Sequence, residues 1–434
     1  MNRYFQTLFL LTLLLLIVVQ ALLIFSGSEI ETYSVLFILG SAIYLMLIYF
    51  VFKVEISNKQ LLLILISLFL VKTIFVNTDP IGSDDYYRYI WDGKVQANGI
   101  NPFLYQPNST ALNHLHSEIL PAKVSYPNIK TIYFPVSQWI FVIAYWLSGE
   151  NAIGLKIIYL LFELITLIAL YFLLKHFNVD LKYLLIYAAL PLITFQYFID
   201  AHIDIAGTAL MISSIAFYFY NKKFFSYILL GLSISVKPTG LLLLPFYFQN
   251  EAVIKEKLKS VMTPIVVFVI TFLPYLFTAT PLETLINYSV NWTFNGMIYN
   301  TLNLFISDNS MIRILCGVLF ILVIGYLYFS KIDLLRKIYL SLFLLMLFSP
   351  VVHPWYLIWF AVLLPMVRSY SGIFFASVIS ITFITVITFQ TSGIWKESPI
   401  ILMIEYLPLT AVFLYEIFIA RVFQRNGYAK TRGN

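Results

Sequence analysis

The chain has 434 residues, of which 61% are hydrophobic, 18% aromatic and only 11% charged, and its mean hydropathy is +0.88. A soluble domain carries about a quarter of its residues as Asp, Glu, Lys and Arg, so this composition excludes a soluble enzyme and specifies an integral membrane protein. The net charge of +6 does not point to nucleic acid, because the basic residues punctuate apolar runs as cytoplasmic loop anchors do, and the single cysteine, Cys316, excludes an intramolecular disulfide.

Taken in chain order, apolar segments able to cross a bilayer fall near 5–25, 33–52, 60–76, 152–174, 183–199, 203–220, 260–279, 311–329, 338–350, 353–367, 370–390 and 399–420. The first is too long for a signal-peptide core and no clear small-residue cleavage site follows it, so it reads as a retained helix. The stretch 224–248 is interrupted by "VKPTG" and reads as two short or broken helices meeting at Lys237–Pro238. The expectation is an all-α integral membrane protein with about 12 to 14 transmembrane helices.

With the N-terminus in the cytoplasm, eighteen of the 27 basic residues fall inside, among them Lys53, Lys175, Lys222, Lys257, Arg336, Arg368 and the tail Arg421, Arg425, Lys430 and Arg432. Counting "TIYFPVSQWIFVIAYWLSG" (131–149) as a crossing would put the basic 175–182 loop outside. That segment is therefore expected to lie on the outer face as an interfacial helix; the alternative is a full crossing with inverted downstream topology. The chain divides into N-terminal helices (1–76), an outer loop with an acidic motif and the interfacial helix (77–150), and a helical remainder (151–434), all one membrane domain without internal repeat or soluble appendage.

Five polar constellations then fall on one side of this topology. In "DDYYRYIWDGKVQANGINPFLYQP" (84–107), a helix over 84–95 places Asp85, Arg88 and Asp92 on one face, with Arg88 four residues from both Asp84 and Asp92. Such a group is either a self-paired solvated helix or a carboxylate held at the membrane surface, where partial burial tunes its pKa. "IDAHIDIAG" (199–207) offers His202 and Asp204 at a helix junction, where capping is the plain alternative. Lys237 stands at a helix break, to snorkel or to meet an anion. "SPVVHPWYLIW" (349–359) offers His353, Trp355 and Tyr356, and "TIYFPVSQ" offers Tyr133 and Gln138. Cations suit a phosphate, carboxylates and rings suit sugar hydroxyls, and apolar helices suit a lipid chain, which together fit sugar transfer from a lipid phosphate. No Walker loop, zinc motif, Gly-x-Ser-x-Gly or Rossmann fingerprint is present.

The ordered set "DDYYRYIWDGKVQANGINPFLYQP", "IYFPVSQWIF", "AHID", "KPTGLLLLP" and "SPVVHPWYLIW" resembles, over roughly residues 75–365, the polytopic glycosyltransferases of the GT-C class. It is most similar to the bacterial polyprenol-phosphate-mannose-dependent mannosyltransferases, and more loosely to the first mannosyltransferase of GPI-anchor assembly. The resemblance implies a GT-C-like fold, a polyprenyl-phosphate sugar donor, a glycan or lipid-linked acceptor, a site facing the outside or periplasm, inversion at the anomeric carbon and an aspartate base. That base is Asp85 or Asp84, with Asp85 preferred. Arg88, Lys237 and His353 become candidates for the donor phosphate. Asp92, Tyr133, Gln138, His202, Asp204, Trp355 and Tyr356 become candidates for sugar or acceptor contacts. Asp84 and Asp85 are also the residues that would hold Mg²⁺ or Mn²⁺, though nothing else in the sequence demands a metal. Two departures stand out: three helices precede the acidic loop, two of them read as an N-terminal addition, and the family's Pro-Tyr is Pro102–Phe103 here. The competing readings are a lipid-diphosphate-dependent glycan transferase and a transporter or flippase.

Overall fold

The computed structural model describes residues 2–25, 27, 29–276, 284–286, 290 and 292–420; the basic tail Arg421, Arg425, Lys430 and Arg432 lies outside these. Among the described residues the chain is helical, and extended pairing is confined to isolated contacts of Phe294 and Asn295 with Val351. Helices α1 (Asn2–Leu22), α2 (Ile30–Val51) and α3 (Asn58–Ile74) open the chain. Ser57 and Gln60 form a reciprocal capping box that starts α3. Next come α4 (Asp85–Ala97), α5 (Pro135–Ser148) and α6 (Ile153–His176).

A bent pair follows, α7 (Leu181–Ala188) and α8 (Pro191–Ile199), at 52° to one another. Pro191 has no N–H to continue the first helix, so the break falls in front of it. The last turn of α8, Thr194–Ile199, is a π-turn, and Asp200 N–H reaches back to the Phe195 carbonyl at 3.0 Å. Then come α9 (Asp204–Phe219), α10 (Lys223–Ile234), α11 (Leu244–Asn250) and α12 (Ile254–Leu276), with the expected break at Lys237–Pro238. Longer helices over 309–329, 334–348, 370–392 and 399–418 complete the bundle.

Eight described helices are long and apolar enough to cross a membrane, nine if the bent pair is one span. The protein is an integral multi-pass membrane protein, with fewer such spans than the 12 to 14 expected. The physical reason is that hydropathy does not distinguish lipid contact from burial in protein. The 16 residues of α9 are almost wholly buried, whereas α10 has 12 residues and the 354–367 segment is broken into single turns. All fall short of the ~20 residues a crossing requires. By contrast α1, the 309–329 helix and the 399–418 helix expose Leu14, Ile321 and Met403, as lipid-facing helices do. The 14 residues of α5 are also short of the ~20 a crossing requires, and Trp146 is exposed on it.

Charge inside the bundle is paired. Lys72 of α3 bonds Glu163 of α6, which also accepts from the Tyr187 hydroxyl of α7 at 2.8 Å. Lys156 of α6 donates to the carbonyls of Phe75 and Thr78 at 3.0 and 2.6 Å, fixing the chain as it leaves α3. Removing one partner of a buried pair strands the other, at a cost of about 3–5 kcal/mol. Glu163→Ala should therefore lower the melting temperature in detergent markedly, and a melt unchanged from wild type would refute this account of the α3–α6–α7 contact.

Candidate active site

The acidic loop is held from beneath by a residue that sequence reasoning passed over. Asp200, fully buried, accepts the backbone N–H groups of Ile81 and Gly82 at 3.2 and 2.7 Å, and the Tyr33 hydroxyl bonds its other oxygen. Gly82 has no space for a side chain: a Cβ there would stand 2.6 Å from Asp200 Oδ2 and 2.9 Å from the Tyr33 ring. Ala201, next in the chain, lies in the left-handed region at φ 60°, unusual for a non-glycine residue. The available signal was an acid inside an apolar run at a helix break.

Two residues beyond Gly82, Asp84 sits at the N-cap of α4, and Asp85 begins the helix. The Asp85 carboxylate lies 3.7 Å from Nδ1 of His202 and keeps 31% of its side chain exposed. Burial raises its pKa to about 7, Asp84 adds to the rise, and Lys237 and Arg88 oppose it. His202 is fully buried, and neither ring nitrogen has a hydrogen-bond partner. Burial, with help from His353 and Lys237, holds its pKa well below the ordinary range, so the ring is neutral.

Three rings stack in a row against it. His202 lies on Trp355 at 3.7 Å between centroids, Trp355 on His353 at 4.3 Å, and His353 on Phe294 at 4.8 Å. The Phe294 end is pinned by backbone bonds to Pro350 and Val352. Trp292 Nε1–H donates to His353 Nε2 at 3.3 Å, and burial lowers the His353 pKa to about 3. His353 therefore enters the site as a neutral ring.

On the other side of Asp85, Lys237 donates to Asp204 Oδ1 at 2.7 Å, and Trp359 Nε1–H donates to the same oxygen at 2.8 Å. The ammonium stands 3.6 Å from the centre of the Tyr356 ring. Burial lowers the Lys237 pKa, and Asp204 and Asp85 counter that. A cavity of about 160 Å³ opens beside it, lined by Lys237, Thr239, Leu345, Met346, Ser349, Tyr356 and Trp359.

The structure thus brings together Asp84, Asp85, His202, Asp204, Lys237, His353, Trp355 and Tyr356. Arg88, Asp92, Gln138 and Tyr133 form a bracket next to them. Arg88 donates Nε–H to Asp92 at 2.9 Å and Nη1–H to the Ile129 carbonyl at 2.9 Å, so it pairs with Asp92 and not Asp84. Gln138 Nε2–H donates to Asp92 Oδ2 at 2.9 Å and to Thr131 Oγ1 at 3.0 Å. Tyr133 packs edge-on against Tyr89 of α4. These contacts clamp α4 to α5. Among the described residues no group of three or more His, Cys, Asp or Glu side chains is arranged to hold a metal ion. Asp84 and Asp85 would need substrate oxygens and water to complete a Mg²⁺ shell.

The helices thus gather carboxylates, a lysine and a row of rings at one place in the bundle. Residues 16–252 match a family model described as alpha-(1->6)-mannopyranosyltransferase, N-terminal domain, and residues 295–418 match one described as MptB C-terminal domain. The chain belongs to this mannosyltransferase family. It is a membrane mannosyltransferase, which sets aside the transporter and flippase reading. The first match begins inside α1, so α2 and α3 lie within the family domain and are not an addition ahead of it. No curated protein and no solved structure matches the chain.

Two outcomes follow from this geometry. If Asp85 must be ionised to act, mannosyl transfer should rise with pH, about tenfold per unit on the acid side of pH 7, and level off above it; a flat profile between pH 5 and 7 would exclude it as the titrating group. Gly82→Ala should lower both the rate and the melting temperature, since the added methyl clashes with the buried Asp200, Tyr33 and Phe383 side chains and displaces the loop that carries Asp84; a rate and a melt both unchanged would refute this contact.

Proposed function

We propose that the protein transfers mannose from a polyprenyl-phosphate donor to a hydroxyl of an acceptor glycan on the outer face of the membrane, with inversion and with Asp85 as general base. One observation carries this reading. The partly exposed Asp85 carboxylate beside His202 stands within electrostatic reach of the Lys237 ammonium, which is paired with Asp204 and lines a partly apolar cavity.

The acceptor oxygen attacks the anomeric carbon as Asp85 takes its proton. The bond from that carbon to the phosphate oxygen breaks, and its electron pair leaves with the polyprenyl phosphate. Lys237 stabilises that departing charge. Inversion that yields the alpha linkage in the family description requires a β-linked donor. The (1->6) in the same description makes the nucleophile a primary hydroxyl. The lipid chain is accommodated along Leu345 and Met346 beside Lys237. His202 and Trp355 form the wall against which Asp85 is aimed. An outward-facing lip is supported by the basic loops 53–59 and 175–182, which read as cytoplasmic and flank the acidic loop across α3 and α6.

Transfer of radiolabelled mannose from polyprenyl-phosphate mannose by the purified protein tests the proposal. Asp85→Asn should lose at least about a hundredfold in rate, and Lys237→Gln should weaken use of the donor with less effect on the acceptor. An EDTA arm reads out metal dependence at Asp84 and Asp85. Full turnover in both Asp85→Asn and Asp84→Asn would overturn the assignment of the base. Inert polyprenyl phosphates alongside an active lipid diphosphate would overturn the donor.

A further inference from the structure

Beyond the His353 end of the ring stack lies a second group of aromatics to which the proposed chemistry assigns no role. Tyr126 is 59% exposed and holds a left-handed backbone at φ 53°, a conformation that bulky side chains rarely adopt. Strain of this kind persists where surrounding structure imposes it, and it concentrates at ligand sites. The Tyr126 ring meets Trp292 edge to face at 6.1 Å, 77° between planes, and Trp292 in turn meets Trp395 at 5.7 Å. The half-buried Trp292 is anchored through its backbone, since Arg313 donates to its carbonyl at 2.7 Å, and through its indole N–H on His353. At the other end, Tyr126 lies in the field of Asp84 and Asp85, which together with burial hold its phenol above the ordinary range. The corner made by Tyr126 and Trp292 thus continues the ring row from its His353 end, with the Tyr126 hydroxyl within electrostatic reach of Asp84 and Asp85.

An exposed corner of two rings within electrostatic reach of carboxylates suits one class of ligand. A pyranose has an apolar C–H face that stacks on an aromatic ring and hydroxyls that donate to carboxylates. We propose that Tyr126 and Trp292 form the acceptor platform, binding the terminal mannosyl residue of the acceptor glycan so that its primary hydroxyl reaches Asp85. This rests on the assignment of Asp85 as base. The donor would then enter from the Lys237 side and the acceptor from the Tyr126 side, with the carboxylate between them.

The test uses methyl α-1,6-mannobioside, a soluble probe without a lipid tail, so that membrane anchoring by the rings does not register. Its binding to the full-length protein in lipid nanodiscs is followed by titration NMR with no donor present. Trp292→Ala and Tyr126→Ala should each weaken binding at least about tenfold, and should raise the acceptor KM while leaving the donor KM unchanged. Trp292→Phe, which keeps a stacking face but loses the N–H to His353, should retain most of the affinity. Should Trp292→Ala fail to fold, Tyr126→Ala and Trp292→Phe carry the comparison. Absence of binding to wild type, unchanged binding in the alanine variants, or an effect confined to the donor KM would overturn the platform. Sugar binding that is lost in the variants, from a wild type inert with polyprenyl-phosphate mannose, would leave the platform standing and sink the donor reading instead.

Discussion

The site depends on one buried carboxylate. Asp200 gathers two backbone N–H groups from the acidic loop and the hydroxyl of Tyr33 from α2, and it does so from the end of a π-turn. A buried carboxylate left without partners is costly, so the arrangement is enforced from both directions. The loop needs an acceptor for its N–H groups, and the acid needs donors. Through this contact the N-terminal helices and the acidic loop are joined to the centre of the bundle, and Asp85 is delivered to His202.

Around that fixed point the charges are graded. The rings His202, Trp355 and His353 are neutral, while the charged groups, Asp84, Asp85 and the Lys237–Asp204 pair, stand beside them. The pairing of Lys237 with Asp204 offsets the cost of placing an ammonium among rings. The bracket of Arg88, Asp92 and Gln138 satisfies its own charges and fixes the angle of α4. Asp84 and Asp85 thus join one cluster and Arg88 and Asp92 the other, although all four lie in one polar stretch of sequence.

Much of this was legible in the sequence because polar residues are conspicuous in a chain this apolar. Helix spacing placed Asp85, Arg88 and Asp92 on one face, and the Lys237–Pro238 break was visible from the missing N–H of proline. The partner of each residue was not legible. Arg88 stands four residues from both Asp84 and Asp92, and only the fold decides for Asp92. Asp200 was hidden because an acid beside a helix end reads as a cap, and its true donors lie more than a hundred residues away. Helix length was less legible for a related reason: α9 is apolar along its 16 residues because protein surrounds it.

The row of stacked rings also bears on which nucleophile the enzyme accepts. Water is everywhere at a membrane surface, and it competes with any sugar hydroxyl for an activated anomeric carbon. A surface of neutral, flat, tightly stacked rings offers water few hydrogen-bond partners, and the two ring nitrogens of His202 that would hold one are sealed from solvent. The proposed base is thus flanked by a wall with few hydrogen-bond partners for water. Such a wall favours a nucleophile that brings its own apolar face, which distinguishes a transferase from a hydrolase acting on the same lipid-linked sugar.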